Sequence, residues 1–128
     1  MWRLSGENIK KNRRMNYTHS LNEDFFVLSL SGDLIGEENN TSILTEADHY
    51  ISRGVNKAII DISNVRYINS SGIGVLISLL TKVRNKDGDI CLINPSENVQ
   101  KLLIITKLNA IFRMASTVEE AKRELQKI

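Results

Sequence analysis

Ala58-Ile59-Ile60-Asp61-Ile62-Ser63-Asn64-Val65, then Tyr67-Ile68-Asn69-Ser70-Ser71-Gly72-Ile73-Gly74-Val75-Leu76, holds the change from strand to helix around which the chain is organised. Residues 58–62 are short, β-branched and nearly all apolar, the pattern of a strand buried on both faces. After the junction, Val75, Leu76, Leu79, Leu80 and Val83 recur at helical spacing and define one apolar stripe. The spacing predicts a helix from about Ser71 to about Lys86, with two hydroxyls, Ser70 and Ser71, at its start. A serine before glycine at a helix start is first of all an N-cap, worth about 1 kcal/mol.

Working outward, Asn16 to Leu21 reads as a first edge strand. Phe25-Phe26-Val27-Leu28-Ser29-Leu30 reads as a stronger one, with Asn22-Glu23-Asp24 as the turn of a hairpin. Gly32 is expected to break the second strand. Ile43, Leu44, Ala47 and Ile51 mark the inner face of a helix ending at Gly54. Downstream, Asp87-Gly88-Asp89 is a stop and turn, residues 90–93 form a buried strand containing Cys91, and Asn94-Pro95-Ser96 ends it. Ser96 caps a helix whose inward face is Val99, Leu102, Leu103 and Thr106. Ile104 and Ile105 beside them are expected to be covered by the sheet or the last helix. A short strand, Ile111-Phe112-Arg113-Met114, precedes Ser116-Thr117-Val118-Glu119, which has capping-box spacing, and Val118, Ala121 and Leu125 stripe the final helix.

The resulting order is β-β-α-β-α-β-α-β-α, and right-handed crossovers make most of a four- to five-stranded sheet parallel. The fold class is α/β in a single domain over residues 15–128. Residues 1–14 are expected to be a disordered basic extension, since Arg3, Lys10, Lys11, Arg13 and Arg14 face Glu7 alone. That segment carries +4 of the net charge of +2 and leaves the remainder at −2, so the domain itself has no basic stripe for direct nucleic-acid binding. Met15 directly precedes the first folded segment and is a candidate translation start. No apolar run is long enough for a membrane span or a signal peptide. With one cysteine, no internal disulfide is possible, which fits a cytoplasmic location.

The strand, the junction, the helix and the Ile93-Asn94-Pro95-Ser96 turn together resemble the STAS family, specifically the bacterial anti-sigma factor antagonists. The resemblance covers roughly residues 16 to 126 and implies the same element order with helices mainly on one face. It makes Ser70 the phosphoacceptor, matching the first serine of an Asp-Ser-Ser-Gly-Leu-Gly motif. It also implies a partner-switching cycle. The unphosphorylated protein binds an anti-sigma factor that is also a serine kinase, phosphorylation of Ser70 separates them, and a PP2C-type phosphatase resets the site. ATP and magnesium belong to the partner, so the chain needs no cofactor and is not an enzyme. The docking surface implied is Asp33, Leu34, Asn69, Ser71, Gly72, Ile73 and Gly74, with Gly72 and Gly74 allowing close approach.

Two positions depart from the family pattern. Asn69 replaces the acidic residue before the phosphoacceptor. Gly32-Asp33-Leu34 matches a Gly-Glu-Leu-Asp turn whose terminal aspartate is Ile35 here, so a partner expecting that carboxylate meets an apolar side chain. These departures keep a second expectation open: a non-phosphorylated STAS adaptor subunit of a stress-sensing scaffold or transport complex. A serine hydrolase has only His19 and His49 as candidate bases, neither in a triad motif. Gly72-Ile73-Gly74 lacks the third glycine of a dinucleotide fingerprint, where Ile77 stands, and two histidines and one cysteine provide no metal-ligand spacing.

Overall fold

A computed structural model describes residues 15–35 and 40–127; the expected extension at residues 1–14 lies outside them. The elements are β1 (Met15–Asn22), β2 (Phe25–Leu34), α1 (Asn40–Ile51), β3 (Lys57–Ile68), α2 (Ser70–Arg84), β4 (Asp89–Ile93), α3 (Glu97–Ile105), a 3-10 turn (Leu108–Ala110), β5 (Arg113–Ala115) and α4 (Val118–Leu125). The five strands lie in sequence order across one sheet. β1 pairs antiparallel with β2, and every later pair is parallel.

That order decides where the helices go. Each parallel crossover steps one strand in the same direction, and right-handedness then sends α1, α2 and α3 to the same face. Ile43 and Ala47 of α1, the expected stripe of α2, and Val99 and Leu103 of α3 meet Phe26, Leu28, Ile60, Ile62 and Leu92 there in the larger core. Phe25, Ile59, Cys91 and Ile93 point to the other face, where Ala121 and Leu125 of α4 cover them. β4 is buried along its whole length, as its apolar run requires. Cys91 behaves as a small hydrophobe in this strand; burial, ahead of the nearby Glu124 charge, pushes its thiol up to about 12.

Several boundaries differ from the sequence expectations, each for a tertiary reason. Gly32 does not end β2: it adopts a left-handed φ of 95°, and the β2–β3 register shifts between Gly32 and Asp33 as in a β-bulge. β3 runs on through residues 63–67, of which only Val65 is buried in the core, because Ser31, Gly32, Asp33 and Leu34 of β2 supply partners for Asn64, Val65, Tyr67 and Ile68. The last strand begins at Arg113 rather than Ile111, since Ile111 leaves the 3-10 turn and only Phe112 beside it is buried. The α4 cap is one residue later than expected. Thr117 accepts from the Glu120 amide at 3.1 Å, and Glu120 returns a carboxylate to the Ser116 amide at 2.7 Å. Ile104 and Ile105 are not covered, being 53% and 76% exposed. Thr106 is exposed too, its hydroxyl donating back to the Leu102 carbonyl at 2.8 Å.

One buried carboxylate ties four elements together. Asp89, 7% exposed at the start of β4, accepts from Arg84 at the end of α2 at 3.1 Å and from Arg113 of β5 at 2.8 Å. Arg113 also donates to the Glu124 carbonyl in α4 at 3.3 Å. Burial pushes the Asp89 carboxyl up, but the Arg113 hydrogen bond, the Ile90 amide and Arg84 outweigh it and hold the group below the usual carboxylate range. A folded-state value below the unfolded value of about 3.9 means that this stabilisation is complete above that pH. It is lost as pH falls through the depressed folded value. Asp89→Asn is therefore expected to lower stability by about 2 kcal/mol at neutral pH, because Arg84 and Arg113 lose their shared anion while Arg113 keeps Glu124 at 3.6 Å. Urea unfolding should show the deficit shrinking as pH is lowered below ~4; a deficit that stays constant with pH would contradict this assignment.

Candidate functional site

The parallel strands β2 and β3 end side by side, with Leu34 opposite Ile68. Both side chains are packed into the larger core, so the backbone that follows Ile68 emerges at the C-terminal edge of the sheet, where α2 begins. Asn69 makes the turn. Its amide donates to the Leu34 carbonyl at 3.3 Å, and its side-chain oxygen accepts from the Gly72 amide at 2.8 Å. Asn69, not Ser70 or Ser71, is thus the N-cap. The sequence carried a sign of this, because asparagine ranks at least as high as serine as a cap and stands three residues before Gly72.

Gly72 is turned inward. A Cβ placed on it would lie 2.0 Å from the Leu34 carbonyl oxygen, so its missing side chain serves contact between α2 and β2 rather than an outside molecule. Leu34 is 1% exposed and holds the other side of that contact. Ile73 is half-buried against the larger core. Ser70, Ser71 and Gly74 are exposed, and a Cβ on Gly74 would meet nothing within 4 Å.

Among the described residues, the Ser70 hydroxyl is in no hydrogen bond and does not cap the helix. It occupies the first position of a 15-residue helix whose first turn has no acidic residue and whose last turn has Lys82 and Arg84. The Gly72 amide is taken by Asn69 Oδ1 and the Ile73 amide by the Asn69 carbonyl. Among the described residues, the amides of Ser70 and Ser71 have no such partner, and they point where an anion at the helix start is favoured. Beside the site, Asp33 pairs with Arg66 at 3.2 Å, and Tyr67 is 56% exposed. Arg66 and Tyr67 were not read as site residues because they fall past the apolar run of β3, where only pairing with β2 reveals a strand. From the far side of β3, Ser96, the cap of α3, donates to the Val65 carbonyl at 3.3 Å and ties the Asn94-Pro95-Ser96 turn to this strand.

Neither histidine is hydrogen-bonded to the serine. His19 lies on β1 with Nδ1 2.8 Å from the Tyr50 hydroxyl, and His49 is exposed on α1. Among the described residues, no three His, Cys, Asp or Glu side chains are grouped to hold a metal, and no helix is long and apolar enough to cross a membrane.

The profile of the STAS domain matches residues 18–121. In sequence the chain is 29% identical over 110 residues to a candidate anti-sigma factor antagonist of Thermotoga neapolitana, covering 86% of this chain and 97% of that one. In structure it is similar to the crystal structure of a candidate anti-sigma factor antagonist from Thermotoga maritima, with a TM-score of 0.77 and 25% identity over 86% of this chain and 94% of that one. The anti-sigma factor antagonist SpoIIAA in its unphosphorylated form gives a TM-score of 0.74 at 23% identity, covering 88% of this chain and 98% of that one. For the phosphorylated form of the Bacillus protein the TM-score is 0.66 at 22% identity, covering 85% and 98%. At these identities the SpoIIAA likeness is one of fold.

The two glycines of the junction should respond oppositely to one methyl group. Gly72→Ala forces backbone against backbone and is expected to cost at least ~2 kcal/mol, whereas Gly74→Ala adds helix propensity in open space and should stabilise by about 0.5–1 kcal/mol. Thermal unfolding of both variants checks this, and equal effects would refute the inward placement of Gly72. In the same assay Asn69→Ala should lose about 1 kcal/mol and Ser70→Ala less than about 0.5 kcal/mol.

Proposed function

Because the chain belongs to the STAS domain family, we propose that it is an anti-sigma factor antagonist, switched off by reversible phosphorylation of Ser70. The observation that carries this reading is the division of labour at the junction: Asn69 caps the helix, and the neighbouring Ser70 is exposed. A hydroxyl that the fold does not need can be modified without unfolding the domain. The description of the Thermotoga neapolitana relative supports the same partner class.

In this mechanism the unphosphorylated face binds an anti-sigma factor that is also a serine kinase. The kinase transfers the γ-phosphoryl group of its own ATP to the Ser70 oxygen, the serine proton leaves with the transfer, and ADP remains with the kinase. Ser70 is a substrate and the chain supplies no catalyst. The new group carries about −1.5 to −2 charges at neutral pH and sits at the positive end of α2, next to the Ser70 and Ser71 amides, which have no partner among the described residues. Asn69 helps, because a neutral cap adds no repulsion where an aspartate would. The domain therefore tolerates the phosphate, while a partner surface shaped for a neutral hydroxyl does not. A PP2C-type phosphatase returns the site to its binding state. The cycle takes place in the cytoplasm and involves neither nucleic acid nor membrane.

The docking face in this reading combines Ser71 and Gly74, which are exposed, with Asp33, Asn69 and Ile73, which are half-buried. Leu34 and Gly72 act from beneath by fixing the start of α2. The exposed Tyr67 adds an aromatic contact beside them. Residues 1–14 stand outside the switching domain as a basic extension.

Native-lysate capture on the immobilised chain, followed by ATP and site-resolved mass spectrometry, should recover a kinase of this kind and phosphate on Ser70. Ser70→Ala should retain partner binding and block modification, while Ser70→Asp should weaken binding at least about tenfold, equivalent to ~1.4 kcal/mol. Phosphorylation itself should leave the circular dichroism spectrum unchanged and raise stability by up to about 1 kcal/mol. If both variants bind the captured partner like the parent chain, the switch is absent. A non-phosphorylated adaptor, which the neutral Asn69 and apolar Ile35 would suit, then takes its place.

A further inference from the structure

We propose that β1 is the seam of a homodimer in which two copies pair their β1 edges antiparallel, about a two-fold axis through His19, and join their sheets into one. The sheet has two edges and they are unequal. β5 has three residues, carries Arg113 in its ion pairs and lies against α4. β1 has eight residues, Met-Asn-Tyr-Thr-His-Ser-Leu-Asn, without Lys, Arg, Asp, Glu or Pro, and it follows β2 residue for residue without a bulge. A long, regular edge strand lacking charge, proline and bulge is a template for another strand.

The hydrogen-bond phase determines which groups are on offer. The turn of Glu23 and Asp24 joins Asn22 to Phe25, and a two-residue hairpin turn closes on a hydrogen-bonded pair. Counting back by twos, Ser20, Thr18 and Asn16 direct their backbone groups at β2. The Ser31 hydroxyl accordingly reaches the Asn16 carbonyl at 3.5 Å. The amides and carbonyls of Tyr17, His19 and Leu21 face outward, where no strand pairs with them among the described residues.

Antiparallel pairing about His19 matches these residues to one another. His19 meets His19 of the second copy, Tyr17 meets its Leu21, Thr18 its Ser20 and Asn16 its Asn22. Every pair stays on one face of the joined sheet, as the pleat demands. Aromatic meets aliphatic, hydroxyl meets hydroxyl and amide meets amide; the strand itself opposes no charged group, and the nearest carboxylate, Glu46 of α1, is held 3.4 Å from His19 Nε2 within its own copy. Leu21, 55% exposed in the single chain, gains the ring of Tyr17. The His19 ring is already bonded to Tyr50 of α1, so part of the seam is ordered before pairing. A seam of one strand falls below the area of a standard stable interface, about 1,200–2,000 Å², so the dimer forms reversibly and with rising concentration. The seam lies two strands away from β3 and the start of α2, which leaves both Ser70 sites open. The dimer stands or falls independently of the phosphorylation cycle.

Sedimentation equilibrium of the full chain up to about 1 mM, where a small interface should associate, is expected to show the mass rising from 14.5 kDa toward twice that value. Leu21→Lys should weaken the association at least tenfold. Register is read by cysteines. Thr18 and Ser20 of the second copy form a non-hydrogen-bonded pair with Cα atoms about 4.5 Å apart, within disulfide range. A mixture of Thr18→Cys and Ser20→Cys chains treated with oxidised glutathione should give a mixed disulfide, with the buried native Cys91 silent. A monomer at all concentrations would overturn the proposal, as would an association indifferent to Leu21→Lys or a Thr18→Cys chain that crosslinks only with itself. Dimerisation seen only after removal of residues 1–14 would also overturn it, by making that segment the occupant of the edge.

Discussion

The backbone carbonyl of Leu34 is the point on which the geometry of the site depends. It accepts from the Asn69 amide at 3.3 Å, and its oxygen fills the space where a Cβ on Gly72 would stand. Two parallel strands and the helix leaving one of them are thereby clamped at a single atom. The clamp works because Gly72 has no side chain and because β2 and β3 finish in register, Leu34 opposite Ile68. From that clamp follow the direction of α2, the capping role of Asn69 and the outward position of Ser70.

Rigidity and availability are separated by one residue in this arrangement. Asn69 and Gly72 satisfy the backbone and the close contact, Val75, Leu76, Leu79, Leu80 and Val83 anchor the helix in the core, and the Asp89 network ties its far end to β4, β5 and α4. Ser70 shares in none of these bonds. A charge added to it acts on whatever approaches the helix start, and the positive end of α2 receives it without a folding cost. The proposed switch would thus act by surface chemistry, with no change of shape required. The edge of β1 lies two strands away from β3 and the start of α2, so the proposed association there would not compete with the proposed recognition at α2.

The fold was largely legible because its elements announce themselves locally. The apolar run at 58–62, the α2 stripe and the hairpin turn each depend on residues within one element, and strands separated by helices admit few topologies. The candidate site was legible in part. The residues alone offered Ser70 and Ser71 as equal helix-start hydroxyls; the family resemblance singled out Ser70, and its neighbours could not be sorted. Leu34 and Gly72 look like surface residues in a motif and are inward-facing in the fold, while Arg66 stands outside the quoted motif and reaches the site only through Asp33.

The sequence alone therefore determined the order of elements, the apolar faces and the position of a hydroxyl at a helix start, since periodicity and turn chemistry are properties of neighbouring residues. Only the tertiary structure decided which residue caps α2, how far β2 and β3 extend, and that Ile104 and Ile105 remain exposed. Each of those outcomes is a matter of what lies across space. A cap depends on which oxygen reaches the amide, a strand on whether a partner continues beside it, and burial on whether another element arrives to cover the side chain.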